Sequence, residues 1–308
     1  MEKEKSLQSA KTGKLLFYIS LVAFPVVQFI IFYIIVNFNS LSLAFKEYTV
    51  TANGVLEYEF VGFKNLGDTY VKLFTDEFYI TCIKNSLIFY GISILGGTVF
   101  SLSFSYYIYK QGFLGNFFKI MLYLPHILSA MVLTVMYKYL CQYGLPEVGK
   151  LIGINIPGFR ENLDWQFTLL LFYNLLMSFG NNMLIYTGTM AGISDAVIEA
   201  AEIDGANSWQ EFIHVIMPSI FSTFALFIVT GMIQIFNGQG NLFNFFGLEA
   251  PERFQTFGYY IYVQVKNAGI NYVKYPPIAS LGLCLTSIAI PIIFTGRHLL
   301  NKYGPSED

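Results

Sequence analysis

The sequence predicts an all-α integral membrane protein with about six transmembrane helices and one polar segment projecting from them. Three observations carry this. The 308 residues are 55% apolar, 18% aromatic and only 12% charged, about half the roughly 25% charge of soluble domains, and mean hydropathy is +0.53. Six apolar runs approach the ~20 residues needed to cross the hydrocarbon core. Residues 193–218 break the apolar pattern: they lie between two of these runs and carry Asp195, Glu199, Glu202, Asp204 and Glu211 without a single Lys or Arg.

The elements follow in order. Residues 1–14 are polar and Lys-rich and read as a cytoplasmic tail. The run after them is too long for a signal peptide and lacks a small-residue cleavage site, so it is expected to be an uncleaved first span. The six spans are placed at Leu15–Val36, Leu87–Tyr109, Ile120–Tyr137, Phe167–Thr187, Ser219–Phe236 and Ile278–Thr295. One membrane domain, 15–300, thus takes nearly the whole chain, and 301–308 form a second short tail. The stretches 37–80, 138–165 and 237–275 are expected to be long loops on the other side. An even number of spans puts both termini on one side. Charge alone does not choose that side. With the termini inside, eight of the 18 Lys and Arg residues are cytoplasmic and the other ten are not, although Lys11, Lys14, Lys110, Lys119 and Arg297 sit near span ends, where the positive-inside rule applies. The net charge of −2 and the lack of a basic patch give no sign of nucleic-acid binding.

Segment 193–218 has its own punctuation. Ser194 or Asp195 can cap a first helix, Gly205 supplies a permissive turn, Ser208 followed by Glu211 reads as a capping box, and Pro218 marks entry to the next span. The result is helix, glycine turn and second helix, with a small-residue face at Ala200, Ala201 and Ala206. This shape suits insertion into a groove on another protein.

The spans are informative for what they lack. None of the six contains Asp, Glu, Lys or Arg, whereas ion-driven transporters usually place an ionisable residue at membrane depth. His126 is the one titratable group near that position and reads as an interfacial histidine. Gly144–Leu151 imitates a phosphate loop but has Leu151 where the Mg²⁺-binding Ser or Thr belongs, so no ATP site is expected in this chain. No catalytic constellation, metal-ligand spacing or cofactor motif appears. Cys82, Cys141 and Cys284 have no metal spacing. The first two fall at the outer ends of spans, where a disulfide between them is geometrically open.

Uncharged polar residues do recur at helical spacing. Asn174, Ser178 and Asn181 fall on one face of the fourth span, with Gly180 and Asn182 alongside. Thr230, Gln234 and Asn237 repeat the interval in the fifth, with Gly231 and Gly238. Amides must face protein or water rather than lipid. Two readings stay open at this level: a path for a hydroxyl-bearing solute, whose groups amides can both donate to and accept from, or interhelical hydrogen bonding.

Glu199-Ala200-Ala201, three residues, Gly205, nine residues, then Val215-Ile216-Met217-Pro218 resembles the signature loop of permease subunits in binding-protein-dependent ABC importers. Val61–Asn65, Asn85-Ser86-Leu87, Leu124-Pro125, Tyr259–Tyr262 and Tyr275–Ser280 resemble elements of the sugar-permease branch over nearly the full chain. The resemblance implies a type I importer transmembrane domain in the cell membrane, with the signature loop and both termini cytoplasmic. It implies that Glu199, Ala200, Ala201, Asp204, Gly205, Ala206 and Trp209 couple to an ATPase, which holds the ATP and Mg. It implies a second permease, paired ATP-binding subunits, an external solute-binding protein and surrounding lipid as partners, and a carbohydrate as solute. The sugar site of relatives points to Ser178, Phe179, Gly180 and Asn182 before the loop and Gly231, Ile235 and Gly238 after it. The stripes add Asn181, Gln234 and Asn237. Where the branch often has a Gly-Gly-Pro, this chain reads Phe246-Gly247-Leu248-Glu249-Ala250-Pro251.

Overall fold

A computed structural model describes residues 2–50 and 56–305. The helices relevant here are α1 (Leu16–Leu43), α2 (Lys64–Thr75), α3 (Glu77–Tyr109), α4 (Gly115–Ile127), α5 (Ala130–Leu151), α6 (Leu163–Met190), α7 (Asp195–Ile203), α8 (Ser208–Ser219), α9 (Phe221–Asn237), α10 (Leu242–Phe246), α11 (Phe257–Ala268) and α12 (Tyr272–Tyr303). Of these, α1, α3, α6 and α12 are long and apolar enough to cross a membrane. Counting the bent pairs α4–α5 and α8–α9 as one span each gives six. The helix containing α1 begins at Glu2, so the polar N-terminal stretch continues the span rather than forming an irregular tail.

The third span is broken within its length, and the fifth is set at a sharp angle to the helix of the projecting segment before it. The third is bent by 103° between α4 and α5. Pro125 lacks an N–H and crowds the preceding turn. The backbone then turns extended at Leu128 (ψ 155°) and Ser129 (ψ 127°), and the helix restarts as Leu133 N–H donates to the Ser129 carbonyl (3.0 Å). The fifth is bent by 71° at Ile220 (φ −106°, ψ 11°), two residues after Pro218.

The chain forms two compact units, residues 1–71 with 268–284 and residues 72–267 with 285–308. In the first, α1 exposes its apolar side chains all round, as a helix in lipid can. A hairpin pairs β1 (Lys46–Val50) with β2 (Leu56–Phe60) in the register Lys46↔Phe60 and Tyr48↔Tyr58. This is the one departure from the all-α class among the described residues. Its signal was the alternation in KEYTV and LEYEF, hidden inside a stretch read as loop. Asn65 Nδ2 ties the hairpin down by donating to the Lys46 carbonyl (2.9 Å). The Cys284 thiol donates to the Leu66 carbonyl at 3.7 Å.

The second unit holds the rest. Here α3 lies along α6, and two buried serines fasten them: Ser101 Oγ donates to the Phe179 carbonyl (3.1 Å) and Ser105 Oγ to that of Met183 (2.9 Å). The expected long loops are folded. α10 and α11 occupy one of them, and Phe159, Tyr173, Phe245, Phe254 and Tyr259 form an aromatic core beneath it. Cys82 and Cys141 are buried thiols, and no disulfide joins cysteines among the described residues.

Candidate functional site

Two places draw the predicted residues together, both within the second unit. The first is the projecting segment. α7 ends in the expected glycine turn: Gly205 has φ +79°, Gly205 N–H donates to the Glu202 carbonyl (3.1 Å) and Ala206 N–H reaches back to that of Ala201 (3.0 Å), the bonding of a Schellman cap. Ser194 occupies the N-cap of α7 without a side-chain cap bond. The second helix starts one residue earlier in its logic than Ser208–Glu211 implied. Asn207 Oδ1 accepts from Gln210 N–H and Gln210 Oε1 accepts from Asn207 N–H, both at 2.9 Å. Asn is as good an N-cap as Ser, and Gln serves in the box as Glu does. That leaves Glu211 for another task.

Glu211 is 3% exposed, and its Oε2 lies 3.0 Å from Lys110 Nζ, which also meets Glu202 Oε1 at 3.2 Å. Lys110 follows the last residue of α3. Tyr106, one turn earlier, donates its hydroxyl to the Ser208 carbonyl (3.0 Å). Burial by itself would lower the Lys110 pKa; hydrogen bonds to Glu211 and then Glu202 outweigh it and raise the pKa above its ordinary value. The segment's inner face is apolar: Ile198, Ile216 and Ile220 pack with Leu102, Tyr186 and Met190. Its outer face carries Glu199, Ala200, Asp204 and Gly205, all exposed, with Ala201 and Ala206 half-buried. The face is not built of small residues alone. Ile203 is 85% and Trp209 72% exposed. Large apolar groups held out beside acidic ones mark an interaction surface. Sequence reasoning missed the part Lys110 plays in holding this segment, because its partners lie 92 and 101 positions away in the chain.

The second place is a cavity of about 300 Å³ between α3, α6 and α9. Asn174 and Ser178 from the fourth span and Gly231, Gln234 and Gly238 from the fifth line it. Ser86, Tyr90 and Ser93 of α3 complete the wall with Gln239, Asn241 and Thr256. The lining carries no charged side chain. Close approach explains the glycines. A Cβ on Gly231 would meet Tyr90 at 3.0 Å and Ile94 at 3.1 Å, and one on Gly97 would collide with Ser178 Oγ. Asn174 is committed to packing as well as lining: its Nδ2 donates to the Gly240 carbonyl (3.0 Å) and its Oδ1 accepts from Asn241 Nδ2 (2.8 Å). Ser86 Oγ is buried and finds no partner among the described residues, so a hydroxyl or water in the cavity would complete it.

The remaining predicted path residues lie elsewhere. Phe179 is buried, with its ring against Phe100 and Phe104 (5.9 and 6.1 Å). Gly180 makes room for the third span: a Cβ there would meet the Leu122 carbonyl at 2.5 Å and His126 at 2.7 Å. His126 itself bonds the Met177 carbonyl (3.0 Å), a contact between the third and fourth spans. Asn181 and Asn237 are exposed and Asn182 and Ile235 half-buried, none of them on the cavity wall. Of the stripe residues, Asn174 and Ser178 of the fourth span and Gln234 of the fifth reach the cavity, and Asn181, Thr230 and Asn237 do not. Helical spacing could not show that the loop after α9 folds back to supply Gln239 and Asn241.

With this geometry in place, comparison with known proteins gives a consistent picture. Residues 93–295 match the family described as "Binding-protein-dependent transport system inner membrane component". The polygalacturonan/rhamnogalacturonan transport system permease protein YteP of Bacillus subtilis is 21% identical over 93% of this chain and 88% of its own length. The multiple sugar-binding transport system permease protein MsmF of Streptococcus mutans is 25% identical over 68% of this chain and 71% of its own. Among solved structures, a chain of a bacterial ABC transporter involved in import of the acidic polysaccharide alginate superposes with a TM-score of 0.74. It shares 22% identity and covers 97% of this chain and 99% of that one.

Proposed function

The chain belongs to the inner membrane components of binding-protein-dependent transport systems, and from that premise we propose that it is a permease subunit of an ATP-driven importer of an oligosaccharide or glycoside. It works with a second permease, a pair of ATP-binding subunits and an external solute-binding protein. Both termini and segment 193–218 face the cytoplasm. The solute-binding protein delivers sugar to an outward-open path. ATP binding closes the partner subunits around the exposed face of Ile203, Trp209, Glu199 and Asp204, and the spans on either side of the segment follow that motion. ATP and Mg reside in the partners, and this chain performs no catalysis of its own.

The observation that carries the carbohydrate reading is the cavity at α3, α6 and α9. Its wall offers hydroxyls, amides and glycines beside the apolar Phe89 and Met177, and no charge. Such a wall exchanges hydrogen bonds with sugar hydroxyls in both directions. The relatives named above support it, since their own names describe carbohydrate transport. The test is the purified complex with its solute-binding protein, assayed for ATPase stimulation with a panel of neutral and acidic oligosaccharides beside amino acids, polyamines and phosphate. Stimulation by a saccharide is expected. Stimulation confined to a non-sugar solute would reject the carbohydrate assignment.

A further inference from the structure

The spans that flank the projecting segment, α6 and α9, are joined to it covalently. The structure joins a third. Lys110, at the end of α3, makes ion pairs with Glu202 of α7 (3.2 Å) and Glu211 of α8 (3.0 Å), one on each side of the Gly205 turn. Tyr106 adds its hydrogen bond to the Ser208 carbonyl. The Glu211 carboxylate is almost fully buried and its Oε1 has no other partner among the described residues. An ionised group in that position depends on its one cation and would be left uncompensated without it. Above this attachment, Ser101 and Ser105 lock α3 to α6. Still further along α3, the helix loosens into wider turns at Ile92–Thr98, beside Ser86, Tyr90 and Ser93 on the cavity wall.

From this geometry we infer that Lys110 is a positioning residue that latches α3 to both halves of the projecting segment, making α3 a lever between the ATPase-facing surface and the solute cavity. Displacement of the segment is then delivered to three walls of the cavity together rather than to two. Without the latch, the segment still docks and still responds to ATP, but α3 follows it only through its contacts with α6. The inference rests on the reading of segment 193–218 as the ATPase-docking element.

The test uses the full transporter in proteoliposomes, measuring solute imported per ATP hydrolysed on each preparation. Lys110→Met is expected to keep solute-stimulated hydrolysis within about twofold while lowering import per ATP by about 5- to 150-fold, the span of typical coupling free energies. Lys110→Arg should restore the ratio. So should the exchange Lys110→Glu with Glu202→Lys and Glu211→Lys, which keeps both pairs and reverses their sense. A wild-type ratio in Lys110→Met, even at reduced yield, would mean that the pair only stabilises the fold, and would overturn the latch. The latch is likewise overturned if neither Lys110→Arg nor the exchange recovers the ratio. Gly205→Pro serves as the docking control. If it abolishes stimulated hydrolysis while Lys110→Met transports normally, the latch alone fails. If it leaves stimulated hydrolysis intact, the docking reading fails and takes the latch with it.

Discussion

At the scale of single residues, backbone geometry and one buried charge decide most. Gly205 holds φ +79°, a conformation that costs an L-residue with a Cβ roughly 1–2 kcal/mol and that proline cannot adopt at all. Gly205→Ala is therefore expected to lower the thermal midpoint of the complex modestly, and Gly205→Pro to abolish solute-stimulated ATPase while the chain still inserts. Normal stimulation in the proline variant would contradict the docking role. Lys110 yields a pH prediction. Its pKa is raised on folding above the ordinary value of 10.5. The stability it contributes is fully present below the unfolded value and is lost only as pH climbs through the folded one. The thermal midpoint of the wild type relative to Lys110→Met should thus show no lysine-derived change between about pH 7 and 9 and should converge only as pH climbs beyond 10.5. Convergence below pH 9 would show that the pair is not as observed.

At the scale of elements, the two polar stripes separate into lining and packing residues. Gln234 is exposed on the cavity wall, so Gln234→Leu removes a partner for a solute hydroxyl without disturbing the contact between α9 and α3. We expect its uptake per assembled complex to fall about 5- to 150-fold, corresponding to the roughly 1–3 kcal/mol of an unpaired buried group, with yield unchanged. Gly231→Leu behaves differently, because its Cβ already meets Tyr90 and Ile94 at 3.0 and 3.1 Å. It should reduce assembly and thermal stability first, and uptake with them. Measuring yield, ATPase and uptake on the same preparations distinguishes the cases; equal losses of yield in both variants would assign Gln234 to packing as well. Asn182→Leu, which the stripe pattern alone would have placed in the path, should leave uptake per complex near wild type.

At the scale of the whole molecule, topology is the main prediction. The native cysteines are buried and give a low background for thiol labelling. A cysteine replacing exposed Ser208 should react with an impermeant maleimide only after the cytoplasmic face is opened. One replacing exposed Glu147 in α5 should react from outside in cells without an outer-membrane barrier. The reverse pattern would invert the orientation and separate segment 193–218 from cytoplasmic ATP. Bound partner subunits should also shield position 208 more than position 147, since Trp209 and Ile203 lie in the docking face.

The membrane class, the number of spans, the Gly205 turn and the acidic segment were legible in the sequence, because each rests on local physics: runs of apolar residues, a backbone position that needs glycine, charge that has no place in lipid. The polar stripes were legible too, since helical period fixes which residues share a face. What sequence could not supply was which neighbour that face meets. Phe179, named by resemblance, and Gly180, beside the stripe, turn to Phe104 and His126, whereas Gln239 and Asn241 reach the cavity from a loop whose return is set by Asn174. The bends at Leu128 and Ile220 lie just past prolines, yet a proline in the sequence does not by itself fix either angle. Lys110 shows the limit most plainly. In sequence it is one more basic residue at a span end, and only folding brings it to two carboxylates about a hundred residues away, because an ion pair is made by proximity in space and leaves no mark on spacing along the chain.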